Sequence, residues 1–170
     1  MTLSFENVFE IGPIFRAEPS RTNRHLSEAT SIDIEKAFVD YNDIMTMLEK
    51  FIKYVMKSLK ENNSKEIAEL EIDSHIMNNV MIDNTDTESF PRYKYSDMIE
   101  RLRESGERIR WGDDISPQLI NKLEDEKLNG FYFIVDWPSS TKPFYVKEKI
   151  SDPKICESFD LMNGSLELSS

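Results

Sequence analysis

The chain of 170 residues has a single cysteine, Cys156, which excludes an internal disulfide framework. Set beside acidic Glu157, that thiol reads as packed rather than nucleophilic. No apolar run approaches the roughly 20 residues that a membrane span needs, and the first residues lack the charged and apolar regions of a signal peptide. The expectation is a cytoplasmic protein without membrane contact, in which the Asn-x-Ser sequences at Asn62 and Asn163 stay unglycosylated. Positive charge is scarce too. With 21 Lys and Arg against 32 Asp and Glu, the net charge is -11, the opposite of a composition built to hold phosphate backbones. Internal repeats are missing, and no histidine or cysteine dyad suggests acid–base or thiol catalysis.

What is present can form a core: 39% of the residues are apolar and 11% aromatic, in a length typical of one domain. From Asn42 to about Glu61, Ile44, Leu48, Phe51, Ile52, Val55, Met56 and Leu59 fall on one face at a period of 3.6, which predicts an amphipathic helix. Its methionines read as ordinary packing. Residues 62–92 are polar and acidic without sustained period, so they predict a variable insertion in which His75 is solvated. Ser96 is expected to cap a helix reaching Ser105 with Gly106 beyond it; Ser116-Pro117 is expected to start another, with Leu119, Ile120 and Leu123 inward. Phe131 to Trp137 reads as a strand buried on both faces and ended by Pro138. Phe144 to Val146, Ser158 to Met162 and Leu166 to Leu168 are further expected strands, and Asp136 and Asp160 are expected to meet backbone or arginine partners.

The most chemically loaded stretch runs from Phe5 to Phe38. Val8, Ile11, Ile14 and Phe15 lead into a polar loop, and Ile32, Ile34, Ala37 and Phe38 alternate with charged residues on the return, so an antiparallel pair with one buried face is expected. Arg16 ends the first strand, where its planar fork could grip a phosphate or carboxylate; Glu18, two residues on, could accept from an exocyclic amine. Arg24 and His25 would then meet the distal phosphates of a nucleotide. A solvated surface hairpin would carry the same charges, and spacing does not decide between the two.

The second candidate site is the C-terminal strand. Under ideal alternation Glu167 and Ser169 share one face and Ser170 lies on the other, so Glu167 and Ser170 can share a metal only if the strand twists or bulges. Mg²⁺ takes hard oxygen ligands, usually one or two carboxylates with phosphate and water, and Glu167 suits that role, although the residues alone favour a solvent-facing edge carboxylate. Lys142, before Pro143-Phe144, could pair with a substrate carboxylate.

The segment FRAE, then RHLSE, then SIDIEKAF resembles motif 2 of the class II aminoacyl-tRNA synthetases, and most closely the aspartyl enzymes of archaeal type. RIRWGDDIS (Arg108 to Ser116), FYFIVDWPSSTKPFY (Phe131 to Tyr145) and ICESFDLMNGSLELSS (Ile155 to Ser170) are similar to that family's later segments, in its order, so the resemblance spans nearly the whole chain. It implies an α/β fold of α+β type, a mainly antiparallel sheet flanked by helices and here incomplete. It implies ATP, L-aspartate and tRNA as substrates, Mg²⁺ as cofactor, and a homodimer in the full-length family. Carried onto this sequence, it makes Arg16 the catalytic residue, binding the α-phosphate and the aspartate carboxylate. Glu18, Arg24, His25, Leu26 and Glu167 complete the ATP site, Ser170 joins Arg16 at aspartate, and Glu167 and Ser170 hold the metal.

The family's motif 1, motif 3 and anticodon-binding domain have no counterpart in these residues, and Ala29 offers a methyl where some relatives stack an aromatic on adenine. The expectation is therefore part of an aspartate–tRNA ligase catalytic domain that does not aminoacylate alone. Two alternatives are an aspartate-activating paralogue that forms asparagine, and a non-catalytic interaction module on the same fold.

Overall fold

The computed structural model describes residues 4–17, 27–69, 89–123, 125 and 128–170. They belong to two compact units, Met1–Ile44 and Met45–Ser170.

In the first unit, β-branched and aromatic residues build β1 (Asn7–Phe15) and β2 (Glu28–Lys36), an antiparallel hairpin that runs from Asn7 opposite Lys36 to Phe15 opposite Glu28 without a bulge. Alternation puts Phe9, Ile11 and Phe15 with Ile32 and Ile34 on one face, and Glu10 and Ile14 with Ala29, Ser31 and Asp33 on the other. The expected burial of one face is not met: Phe9 and Phe15 are each 72% exposed. Alternation selects the face that can be buried, but a two-stranded ribbon has no core of its own to bury it in.

Helix α1 (Tyr41–Asn62) follows the expected period and outruns the expected bounds by one residue at each end. Asp40 caps it, its Oδ1 accepting from the backbone N–H of Asn42 at 2.8 Å and of Asp43 at 3.0 Å, while Asp43 Oδ2 accepts from the Asp40 N–H. This reciprocal arrangement satisfies donors that a helix start leaves open. A short α2 (Ser64–Glu69) occupies the start of the expected insertion; residues 70–88, with His75, lie outside the described residues.

The second unit is organised by a four-stranded sheet in the order β3 (Arg92–Lys94), β4 (Phe131–Val135), β7 (Phe159–Asn163), β8 (Leu166–Ser169). β3 runs parallel to β4 and the other pairs are antiparallel. Tyr132, Ile134 and Met162 on one face join the core formed by Tyr95, Met98, Ile99 and Leu102 of α3 (Tyr95–Glu104). On the other face Phe133 and Leu161 are fully buried, and the Phe133 ring lies 6.1 Å from Phe90 and 5.6 Å from Phe159. β4 is thus covered on both sides, as its continuous apolar run requires.

Two further expectations are corrected. α3 starts directly after β3 with Lys94 at its N-cap, not Ser96, because the buried Tyr95 belongs to the first turn. Residues 144–146 form a turn rather than a strand: the Val146 N–H donates to the Pro143 carbonyl at 3.0 Å, leaving Phe144 99% exposed. The strands nearby are β5 (Glu148–Lys149) and β6 (Asp152–Cys156), a short hairpin too polar to show an apolar pattern. Ser116 and Pro117 do begin a helix, α4 (Pro117–Ile120), which continues as a 3₁₀ turn with Ile120 buried.

Candidate functional site

Arg16 lies at the mouth of the hairpin loop. Its backbone N–H donates to the Ser27 carbonyl at 2.9 Å, one rung beyond the β1–β2 register, and its side chain is exposed with no ion pair among the described residues. Ala29 pairs with Ile14, and by alternation both lie on the strand face that Arg16 continues. Glu18, Arg24, His25 and Leu26 lie outside the described residues.

Glu167 and Ser170 belong to the second unit, where the strand geometry departs from ideal alternation. Glu167 pairs with Met162 and Ser169 with Leu161, so two residues of β8 advance against one of β7 and Leu168 forms a bulge. Partners in an antiparallel pair share a face. Glu167 therefore lies with Met162 on the side that also carries Asp160, and Ser169 moves to the side of Leu161; Ser170 follows the end of the strand. The strand thus departs from ideal alternation between the two candidate ligands. Glu167 is exposed and makes no hydrogen bond or ion pair among the described residues.

Next to Glu167 is a buried acid. Asp160 is 5% exposed, and its carboxyl is pushed up to about 6 by burial, with the charges of Glu167 and Asp114 adding and Lys142 opposing. Lys142 Nζ lies 2.7 Å from Asp160 Oδ1 and 4.6 Å from the centre of the Trp137 ring. The indole is itself fixed, its Nε1–H donating to the Ile134 carbonyl at 3.2 Å. The partner expected for Asp160 was backbone or arginine; it is a lysine, and likewise Lys149 meets Asp136 at 2.6 Å. Lys142 and Asp160 were each visible in the sequence, but nothing in a separation of 18 residues pairs them.

The donor set suits Mg²⁺: the Glu167 carboxylate and the Ser170 hydroxyl are both hard oxygens. Among the described residues no group of three or more His, Cys, Asp or Glu could hold an ion unaided, so phosphate and water oxygens would complete the shell. Cys156 is buried, its Sγ donating to the Trp137 carbonyl at 3.3 Å, in keeping with a packed thiol. No helix among the described residues is long and apolar enough to cross a membrane.

Comparison with known proteins covers the whole chain. Residues 1–170 match the family of tRNA synthetases class II (D, K and N). The chain is 44% identical over 170 residues to the aspartate–tRNA(Asp/Asn) ligase of Archaeoglobus fulgidus, covering 100% of this chain and 37% of that protein. It is 40% identical to the aspartate–tRNA(Asp) ligase of Thermoplasma acidophilum, again over 100% of this chain and 37% of the relative. The chain thus spans just over a third of the length of these curated relatives. Among solved structures it is similar to the asparaginyl-tRNA synthetase of Pyrococcus horikoshii complexed with asparaginyl-adenylate, with a TM-score of 0.83 and 32% identity over 94% of this chain and 35% of that one. The aspartyl-tRNA synthetase of Entamoeba histolytica gives 0.79 and 31% over 98% and 34%.

Proposed function

Since the chain belongs to the class II tRNA synthetases of the D, K and N group, an enzyme family, we propose that it forms part of the catalytic domain of an aspartate–tRNA ligase. The full-length protein would activate L-aspartate with ATP, transfer it to tRNA and work as a cytoplasmic homodimer. Aspartate is preferred over asparagine because relatives at 40–44% identity are named aspartate–tRNA ligases, whereas the asparaginyl structure is 32% identical.

In the proposed reaction the ionised α-carboxylate of aspartate attacks the α-phosphorus of ATP, the bond to the β-phosphate oxygen breaks, and aspartyl-adenylate and pyrophosphate form. The terminal hydroxyl of tRNA then attacks the acyl carbon and AMP leaves. The first nucleophile is already charged, so catalysis rests on positioning and on neutralising charge. Arg16 would hold the α-phosphate and the aspartate carboxylate. Glu18 would accept from the adenine amine, while Arg24, His25 and the Leu26 backbone face the distal phosphates. Glu167 and Ser170 would hold Mg²⁺, which supplies neutralisation of phosphate charge when bound, and Ser170 would also orient the amino acid.

The observation that carries this reading is the match of residues 1–170 to the family, and the Leu168 bulge supports it by breaking the ideal alternation that would set Glu167 and Ser170 on opposite faces. Calorimetric titration of the purified chain with Mg-ATP, beside an Arg16→Ala variant, tests it. Binding lost in the variant supports the nucleotide site. Equal binding by both removes Arg16 from it.

A further inference from the structure

Although the chain as a whole is acidic, one face of α1 is not. Over its length α1 carries Lys50, Lys53, Lys57 and Lys60 against three acids, Asp43 and Glu61 at its two ends and Glu49 between. Steps of three, four and three residues keep these lysines within one stripe of the helix surface. Glu49 is 7% exposed and is already matched by Lys53 at 2.8 Å, with the Lys53 ammonium 5.5 Å from the centre of the Phe90 ring. The acid between the lysines is thus turned inward, while Asp43 and Glu61 stand beyond the two ends of the lysine run. Lys50 and Lys57 are exposed and have no ion pair among the described residues.

The stripe borders a groove of about 400 Å³ lined by Thr46, Glu49, Lys50, Lys53, Tyr54, Lys57 and Ser89. A second element adds charge there: Arg92, at the start of β3, donates to Thr46 Oγ1 at 3.4 Å. Tyr54, 71% exposed, presents a ring among the lysines. Cations from two elements converging beside an exposed aromatic make a surface for phosphates, with the ring free to stack or to donate a hydrogen bond.

We propose that this groove on α1 is a docking site for the phosphate backbone of RNA. The RNA would be the tRNA of the preceding reading, on which the inference rests for the identity of its ligand. Charge complementarity argues for the occupant: a polyanion gains from Lys50 and Lys57, which have no ion pair among the described residues, and the acidic remainder of the surface directs it to this face.

The test is tRNA binding by the purified chain, followed by fluorescence anisotropy across a salt series. It compares the parent with a Lys50→Glu/Lys57→Glu variant and with a control, Lys122→Glu/Lys154→Glu, that makes the same change of net charge elsewhere. Mg-ATP titration and far-UV spectra on each protein separate this site from the nucleotide site and from unfolding. The α1 variant is expected to bind tRNA at least several-fold more weakly, with a log–log salt slope shallower by about 2, one for each phosphate that a lysine no longer neutralises. The control keeps the parent's slope, and Mg-ATP binding follows the parent in all three. An unchanged slope in the α1 variant, equal weakening in the control, or no tRNA bound by the parent would overturn the proposal. Loss of Mg-ATP binding in the Arg16→Ala variant bears on the nucleotide reading alone.

Discussion

Lys142 and Asp160, 18 residues apart in the chain, meet at 2.7 Å with side chains 18% and 7% exposed. Few other charged groups here are as well removed from water, and removing one partner of such a pair leaves the other uncompensated. The two approach from the connection after β4 and from β7, so the pair also ties that connection to the sheet.

Replacing Lys142 by Met should therefore destabilise the protein in a pH-dependent way. In the parent, the Asp160 carboxyl ionises near 6, above its unfolded value, so its contribution to stability is fully present at low pH and is lost as pH rises through about 6. Without Lys142 the folded value rises further and the loss deepens. Urea denaturation should show a deficit of about 3 kcal/mol at pH 8 and a clearly smaller one at pH 5. A deficit independent of pH would mean that Lys142 contributes by packing on Trp137, not by charge.

Gly106 ends α3 in a left-handed conformation, with φ of 92°, where the Gly106 N–H meets the Arg103 carbonyl and the Glu107 N–H the Leu102 carbonyl. This paired closure takes up carbonyls that the helix leaves open. No atom lies within 4 Å of a Cβ built there, so Gly106→Ala isolates backbone strain from crowding. A loss of about 1 kcal/mol in thermal or urea unfolding is expected; no loss would show that the turn relaxes out of the left-handed region.

Cys156 is fully buried between Trp137 and Ser158, its Sγ 3.2 Å from Ser158 Oγ. A thiol reagent should find it unreactive in buffer and stoichiometrically reactive in denaturant. Rapid labelling of the native protein would contradict its place in the core.

Glu167 is exposed, so Glu167→Gln should leave stability unchanged within about 0.5 kcal/mol. On the proposed reading it weakens Mg-ATP binding and shifts Mg²⁺ dependence to higher concentration, with free ATP binding little altered. Indistinguishable Mg²⁺ titrations of parent and variant would remove Glu167 from the metal site.

Much of the secondary structure was legible because single segments carry strong local signals. α1 announces itself by its period, β4 by its unbroken apolar run, and α4 by Ser116 followed by Pro117. Local signals failed where a neighbour overrode them. Ser96 is a good capping residue, but burial of Tyr95 draws the helix back to Lys94. Phe144, Tyr145 and Val146 favour strands by composition, yet they follow Pro143 into a turn. β5 and β6 left no apolar trace to read.

The sequence by itself determined which residue types are available and at what spacing: FRAE with its loop and return strand, a carboxylate and a hydroxyl three residues apart near the C-terminus, and lysines at helical intervals along α1. These are properties of order along the chain. Only tertiary structure decided which side each group faces and what it meets. The Leu168 bulge moves Ser169 to the side opposite Glu167, because register belongs to a pair of strands and not to one. Lys142 finds Asp160, and Arg92 comes to Thr46 beside the α1 lysines, because packing brings together segments that no local rule connects.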